Sequence, residues 1–273
     1  MQRRCASHFR ALGLWLLAVC VSSQANDFTM KTLDRVSDPN ARELVIGGKK
    51  AEPADWPATF VLQQPSTRPC SSTAVGRRVI LTAAHCVTNG ARGIVEVGGA
   101  RIPVTCRHHP AYRGDSSVQY EVSADFALCH LDNNLPGAVF ERISVDSALL
   151  ALGTTIRLLG FGCTKDFGAD HRFGTLYEGD APVSSLPRDQ NYYLITSGDA
   201  AVCFGDSGGS AYLKESTGRR FVVAVNSRSD YQRESWLSAT GLRGFETWAR
   251  QWSNERSVKI CGIHPEAEGC RAQ

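Results

Sequence analysis

The chain has 273 residues, 42% hydrophobic and 21% charged, with a formal net charge of +3. That is the make-up of a folded globular protein of one large or two small domains. Acidic and basic residues are interspersed rather than blocked, which argues against nucleic acid or an anionic membrane as partner, and ten cysteines point to an oxidising compartment.

Met1-Gln2-Arg3-Arg4 makes a basic start, residues 11–23 an apolar run, and Ser23-Gln24-Ala25 a small-residue cleavage site. This is the layout of a secretory signal peptide over 1–25, with an apolar run too short to span a membrane. Secretion is therefore expected, to an extracellular or periplasmic space. Cys20 ends the apolar run, but Val19 precedes it where a lipidation site would want a small residue. Removing 1–25 takes Cys5 and Cys20 and leaves eight cysteines, an even number suited to bridges. Residues 26–44 are polar and charged without a periodic apolar pattern, and read as a propeptide or mobile leader.

From Val45 onward, short β-branched and apolar runs recur between turn-forming residues. The pattern predicts strands at Ala58–Leu62, Arg78–Thr82, Ile94–Val97, Ile102–Thr105, Phe126–Leu131, Thr155–Phe161, Tyr192–Thr196 and Phe221–Asn226, which argues for an all-β sandwich or barrel. Near the end, Leu242, Phe245, Trp248, Ala249 and Trp252 share one face at helical spacing. Beyond that helix, Cys261 and Cys270 bracket a small loop containing His264. Two cysteines and one histidine supply only three metal ligands, so the loop reads as structural.

The strongest chemical signal is Cys203-Phe204-Gly205-Asp206-Ser207-Gly208-Gly209. Glycines around a serine allow a sharp turn that gathers backbone N–H groups at a reacting oxygen. The same residues satisfy the G-x-S-x-G elbow of α/β-hydrolases, so this motif indicates a serine hydrolase without saying which. Thr82-Ala83-Ala84-His85-Cys86 follows an apolar run and offers an imidazole, able to take the serine proton and return it. The third member must be a buried carboxylate that orients the imidazole. Asp125 fits, because it lies in the apolar stretch 122–128, where an aspartate is costly unless paired. Asp115 and Asp132 lie in polar loops.

In this order His85, Asp125 and Ser207, with T-A-A-H-C and G-D-S-G-G, the chain resembles the chymotrypsin/trypsin family of serine proteases. An α/β-hydrolase would need its acid and histidine after the serine, and only His264 follows Ser207. The resemblance runs from Val45 to about Asn254 and takes in Trp56-Pro57, His109-Pro110-Ala111-Tyr112 and Gly160-Phe161-Gly162. It implies two antiparallel six-stranded β-barrels with a C-terminal α-helix. The expected divisions are barrel one over about 45–148, barrel two over about 153–240, the helix over about 241–254, and a disulfide-closed tail over 257–273. It implies a catalytic triad of His85, Asp125 and Ser207, with an oxyanion hole at the N–H groups of Gly205 and Ser207. It also implies activation by cleavage before Val45, whose freed amine would pair with Asp206. The substrates would be proteins or peptides, the enzyme a monomer free of membrane and nucleic acid, and the chemistry needs no cofactor and no metal.

Several positions depart from that pattern. Leu44, not Arg or Lys, precedes Val45; Ser210 stands where proline is usual; and Arg228 replaces a tryptophan. These departures keep a second reading alive, a catalytically silent homologue acting as a binding module. The family pattern implies a Cys70–Cys86 bridge, while the usual partner of Cys203 is missing. Cys163–Cys203, Cys106–Cys129 and Cys261–Cys270 are the expected pairings for the rest, although sequence alone does not fix connectivity. At the primary pocket, family alignment puts Ala201 at the base, Ser229 on the wall and Glu234 at the back, with a solvated loop an equally good place for Glu234. The expected specificity is Phe, Tyr or Leu at the cleaved position, with tolerance of Lys.

Overall fold

A computed structural model describes residues 26–32, 46–64, 69–114, 123–137, 139–163, 175–187, 193–242 and 244–272. The expected signal peptide, residues 33–44, Val45, Asp115 and Arg243 lie outside them. The first barrel contains β1 (Phe28–Lys31), β3 (Thr59–Gln63), β4 (Cys70–Gly76), β5 (Val79–Thr82), β6 (Arg92–Val97), β7 (Ala100–His108) and β8 (Ala127–Leu131), closed in the order β1-β3-β4-β5-β8-β7-β6. The second contains β9 (Thr155–Gly160), β10 (Tyr177–Ser185), β11 (Leu194–Ser197), β12 (Ser210–Lys214), β13 (Arg220–Ser229) and β14 (Glu234–Ala239). A β10–β11 pairing closes those six, and β2 (Lys49–Lys50) adds to the outer edge of β10. The helix α1 (Phe245–Glu255) follows. Phe245, Ala249 and Trp252 are buried on it and join the core of the first barrel, with the rings of Phe126 and Phe245 4.7 Å apart.

This is the expected architecture of two β-barrels and one helix, with one correction. The first barrel has seven strands, not six. Its additional strand, β1, comes from the segment read as an unpatterned leader, and it pairs antiparallel with β3 and parallel with β6. The sequence Phe28-Thr29-Met30-Lys31 does alternate apolar and polar, and its apolar side chains point into the core. Four residues are too short a run for that alternation to stand out from a polar segment.

One strand of the domain, β4, shows how a buried strand can lack an apolar run. β4 reads Cys-Ser-Ser-Thr-Ala-Val-Gly and would be taken for a polar loop, yet every residue is buried. Two of its hydroxyls bond across the seam between the barrels, where Ser71 Oγ donates to the Gly205 carbonyl at 2.8 Å and Thr73 Oγ1 accepts from Ser210 Oγ at 2.8 Å, while Ser72 Oγ donates to the Phe60 carbonyl within the first barrel. A hydroxyl buried with a partner carries little of the penalty that an unpaired one would. The tail is stitched to the chain linking the barrels: Ile143 N donates to Cys261 O and Phe140 N to Gly269 O, both at 2.9 Å. His264 accepts from Ile260 N at 3.1 Å and meets Ser253 of α1, in keeping with its structural reading. All four expected bridges form, Cys70–Cys86, Cys106–Cys129, Cys163–Cys203 and Cys261–Cys270.

Candidate active site

The site lies where the two barrels meet. Buried β5 leads directly into a short 3-10 turn, Ala84–Cys86, that carries the half-buried His85. Facing it, Asp125 stands at the entry to β8, directly after Ala124, whose φ of 112° is one that alanine rarely adopts. Such a conformation survives only where neighbours hold it, often beside functional groups. Here Ser123 Oγ donates to Ser238 Oγ of the second barrel at 2.7 Å.

Asp125 is fully engaged. Its Oδ2 lies 2.6 Å from His85 Nδ1 and accepts from Ser227 Oγ at 2.6 Å, while Oδ1 accepts from the His85 backbone N–H at 2.9 Å. Burial alone would raise the carboxyl's pKa. The facing imidazole's charge and these three hydrogen bonds outweigh it and bring the pKa down to about 2. The carboxylate is thus ionised at any working pH, and it fixes which imidazole nitrogen faces the solvent side.

Ser207 is partly exposed and is held by its backbone beside the histidine turn. Its carbonyl accepts from Ser71 N at 2.7 Å and lies 3.5 Å from the sulfur of Cys86. The glycines around it have spatial reasons. A Cβ on Gly208, at φ 80°, would lie 2.2 Å from Thr82 Oγ1, and one on Gly209 2.3 Å from the Leu159 carbonyl. Only glycines let this loop press against the strand that delivers His85. Asn226 Nδ2 ties the loop down through the carbonyls of Leu159 and Asp206. The amides of Asp206, Gly208 and Gly209 donate to protein carbonyls. Among the described residues, those of Gly205 and Ser207 have no protein acceptor.

Asp206 is buried beneath this loop. Its Oδ1 accepts from Gly162 N and its Oδ2 from Cys203 N, each at 2.8 Å. No cation faces it among the described residues. Burial lifts its pKa to about 7 against the opposing pull of those two hydrogen bonds. Ile46 forms a bridge with Ala201, which brings the chain just after Val45 to the segment that leads into Asp206.

A family model described as Trypsin matches residues 45–240. The chain belongs to the trypsin family. Among curated relatives, brachyurin from Leptuca pugilator is 26% identical over 60% of this chain and 80% of its own length. Granzyme M from Homo sapiens is 25% identical over 76% of this chain and 88% of its own. Neutrophil elastase from Mus musculus is 28% identical over 60% and 66% respectively.

One departure from the trypsin-family pattern acquires a local explanation, and a second can be placed in the fold. Ser210, where proline is usual, donates the hydroxyl that bonds Thr73 across the seam. Arg228 sits in register with Trp236 on β14, next to Ser227, which bonds Asp125. Of the expected pocket residues, Ala201 is fully buried, and its N–H donates to Ile46 O at 3.1 Å. Ser229 and Glu234 flank one turn, where Ser229 Oγ donates to the Glu234 carbonyl at 2.8 Å. Asp230 caps that turn by accepting three amides, from Gln232, Arg233 and Glu234. The side chain that reaches the segment after Ala201 is Ser235, whose Oγ accepts from Val202 N at 3.0 Å. Adjacent residues of a strand face opposite ways, so a one-residue difference decides which of Glu234 and Ser235 faces this segment. Ser227 and Ser235 are the functional candidates that the sequence did not disclose. Both are ordinary strand serines whose importance depends on partners far away in the chain.

Proposed function

We propose that the protein is a secreted serine endopeptidase that cleaves peptide bonds through an acyl-enzyme. The observation that carries this reading is the His85–Asp125 pair, 2.6 Å apart and anchored by Ser227, beside a loop that holds Ser207 against the histidine turn. Ser207 Oγ attacks the substrate carbonyl as its proton passes to His85, whose charged form Asp125 supports. The negative oxygen that develops is met by the N–H groups of Gly205 and Ser207, each worth about 3–4 kcal/mol of barrier. His85 then gives the proton to the departing amine. Water repeats the sequence on the acyl group and restores the serine.

Activation follows cleavage at Leu44–Val45, whose new amine pairs with Asp206. The raised pKa of that carboxyl supports the assignment, since it marks a buried acid lacking a counter-charge. With Ala201 at the pocket floor, the primary specificity is for Phe, Tyr or Leu, with Lys tolerated.

A fluorophosphonate probe applied to the processed protein should label Ser207, and Ser207→Ala should abolish both labelling and turnover. A processed, folded protein that takes up no probe would leave the fold as a binding module and sink the enzymatic reading. Peptide-library profiling that returned cleavage only after Arg would overturn the specificity, and an active species uncut at Leu44–Val45 would overturn the activation step.

A further inference from the structure

We infer that residues 26–32 are a retained strand of the first barrel, which stays bound without a covalent link once the chain is cut behind it. The inference rests on the proposed cleavage before Val45, because it concerns the fate of the piece released. β1 lies between β3 and β6 and pairs with both, from Thr29↔Gln63 to Lys31↔Val61 on one side and from Phe28↔Gly93 to Lys31↔Glu96 on the other. Asp27 anchors its start to Arg92 twice, donating its N–H to the Arg92 carbonyl at 2.8 Å and accepting the Arg92 N–H on Oδ2 at 3.1 Å. Phe28 and Met30 are 2% and 0% exposed.

The receiving side is shaped for this strand. A Cβ on Gly93 would come within 2.4 Å of the Phe28 ring, so the glycine leaves open the slot that the ring fills. The trypsin-family match begins at residue 45, and β1 lies outside it. Between residues 26 and 69 there is no cysteine, so no disulfide can tether the piece after cleavage. Retention must come from backbone pairing on both edges and from two buried side chains, the physics of strand addition to an open sheet. Loss of the strand would expose the facing edges of β3 and β6, which folded proteins avoid. The active form is accordingly a two-chain species, its first barrel completed by a short peptide of alternating apolar and polar residues.

The test uses the secreted chain with a recognition sequence for a specific protease inserted between Thr32 and Leu44. After cutting, size exclusion under native conditions and mass spectrometry of each fraction read where the fragment goes. We expect it to co-elute with the body one-to-one and to separate only in concentrated guanidinium. Phe28→Ala and Met30→Ala should each weaken retention by about ten-fold. Gly93→Ala should weaken it comparably, and Phe28→Ala combined with Gly93→Ala should be no worse than Phe28→Ala alone, since the added methyl then meets no ring. A fragment that elutes apart from the wild-type body under native conditions, or one whose retention ignores Phe28→Ala, would overturn the inference. Because the inserted site cuts independently of natural processing, a secreted chain left intact at Leu44–Val45 would count against the activation step alone.

Discussion

Asp125 and Asp206 are both buried, at 3% and 1% exposure, both within the inter-barrel site, and their carboxyls are displaced in opposite directions. Asp125 faces an imidazole and a hydroxyl and falls to about 2; Asp206 faces two backbone amides and rises to about 7. The burial is alike and the donors are not. Backbone amides solvate a carboxylate only in part, whereas a group that can carry positive charge compensates for its removal from water. The first acid has a partner able to carry positive charge, while the second has none among the described residues, as the proposed activation by a new amine requires.

The sharpest way to break that comparison is Asp125→Asn. It removes the charge that supports a protonated His85, and should lower kcat by about 10⁴-fold with little change in KM, the size of effect found for the family's template triad. Substrate kinetics on the processed protein would read it. Next in size is Asp206→Asn, which should leave the processed protein folded but largely inactive, because the new amine then has no carboxylate to pair with. In the uncut chain the same change should raise stability at pH 8.

The signs of the two shifts give a third expectation. Asp206 binds its proton more tightly folded than unfolded, so its contribution to stability is full below pH 3.8 and lost as pH rises through about 7. Asp125 binds its proton less tightly folded, so its contribution is full above pH 3.8 and lost as pH falls through about 2. The uncut chain should therefore owe to this pair a stability maximum near pH 4, measurable by denaturant titration, and Asp206→Asn should flatten the alkaline side alone. After activation that slope should diminish, because a paired amine lowers the carboxyl's pKa. The smallest effect expected is for Ser227→Ala, a positioning residue that acts through Asp125. Losing one hydrogen bond to a charged group costs about 1.5–3 kcal/mol, so kcat should fall by about ten-fold or more, with the acid limb of the stability profile moving to higher pH.

How much of this could be read beforehand depended on whether a residue's meaning was local. The serine loop and the histidine turn were legible because their chemistry imposes neighbours, glycines on one side and an apolar strand on the other. Asp125 was legible because a lone aspartate in an apolar stretch demands a partner. The Cys163–Cys203 bridge could be inferred once the usual partner of Cys203 was found missing. Ser227, 102 residues from Asp125, carries no local sign of its role. The contact of Ser235 with Val202 depends on strand register, which a one-residue slip reverses. β1 hid in a polar segment too short to show its period, and β4 hid because two of its three hydroxyls, those of Ser71 and Thr73, find their partners in the other barrel.

That last strand has a consequence for dividing the molecule. With β4 buried on both faces and its Ser71 and Thr73 hydroxyls bonded into the opposite half, neither barrel alone keeps all of its buried polar groups paired. Expressed apart, the first would expose a polar groove and the second would lose the support under its serine loop. Expressed together, split at the connection near residue 150, the halves should find each other and unfold in one transition. The seam would then serve as a complementation interface, with recovered turnover as its reporter.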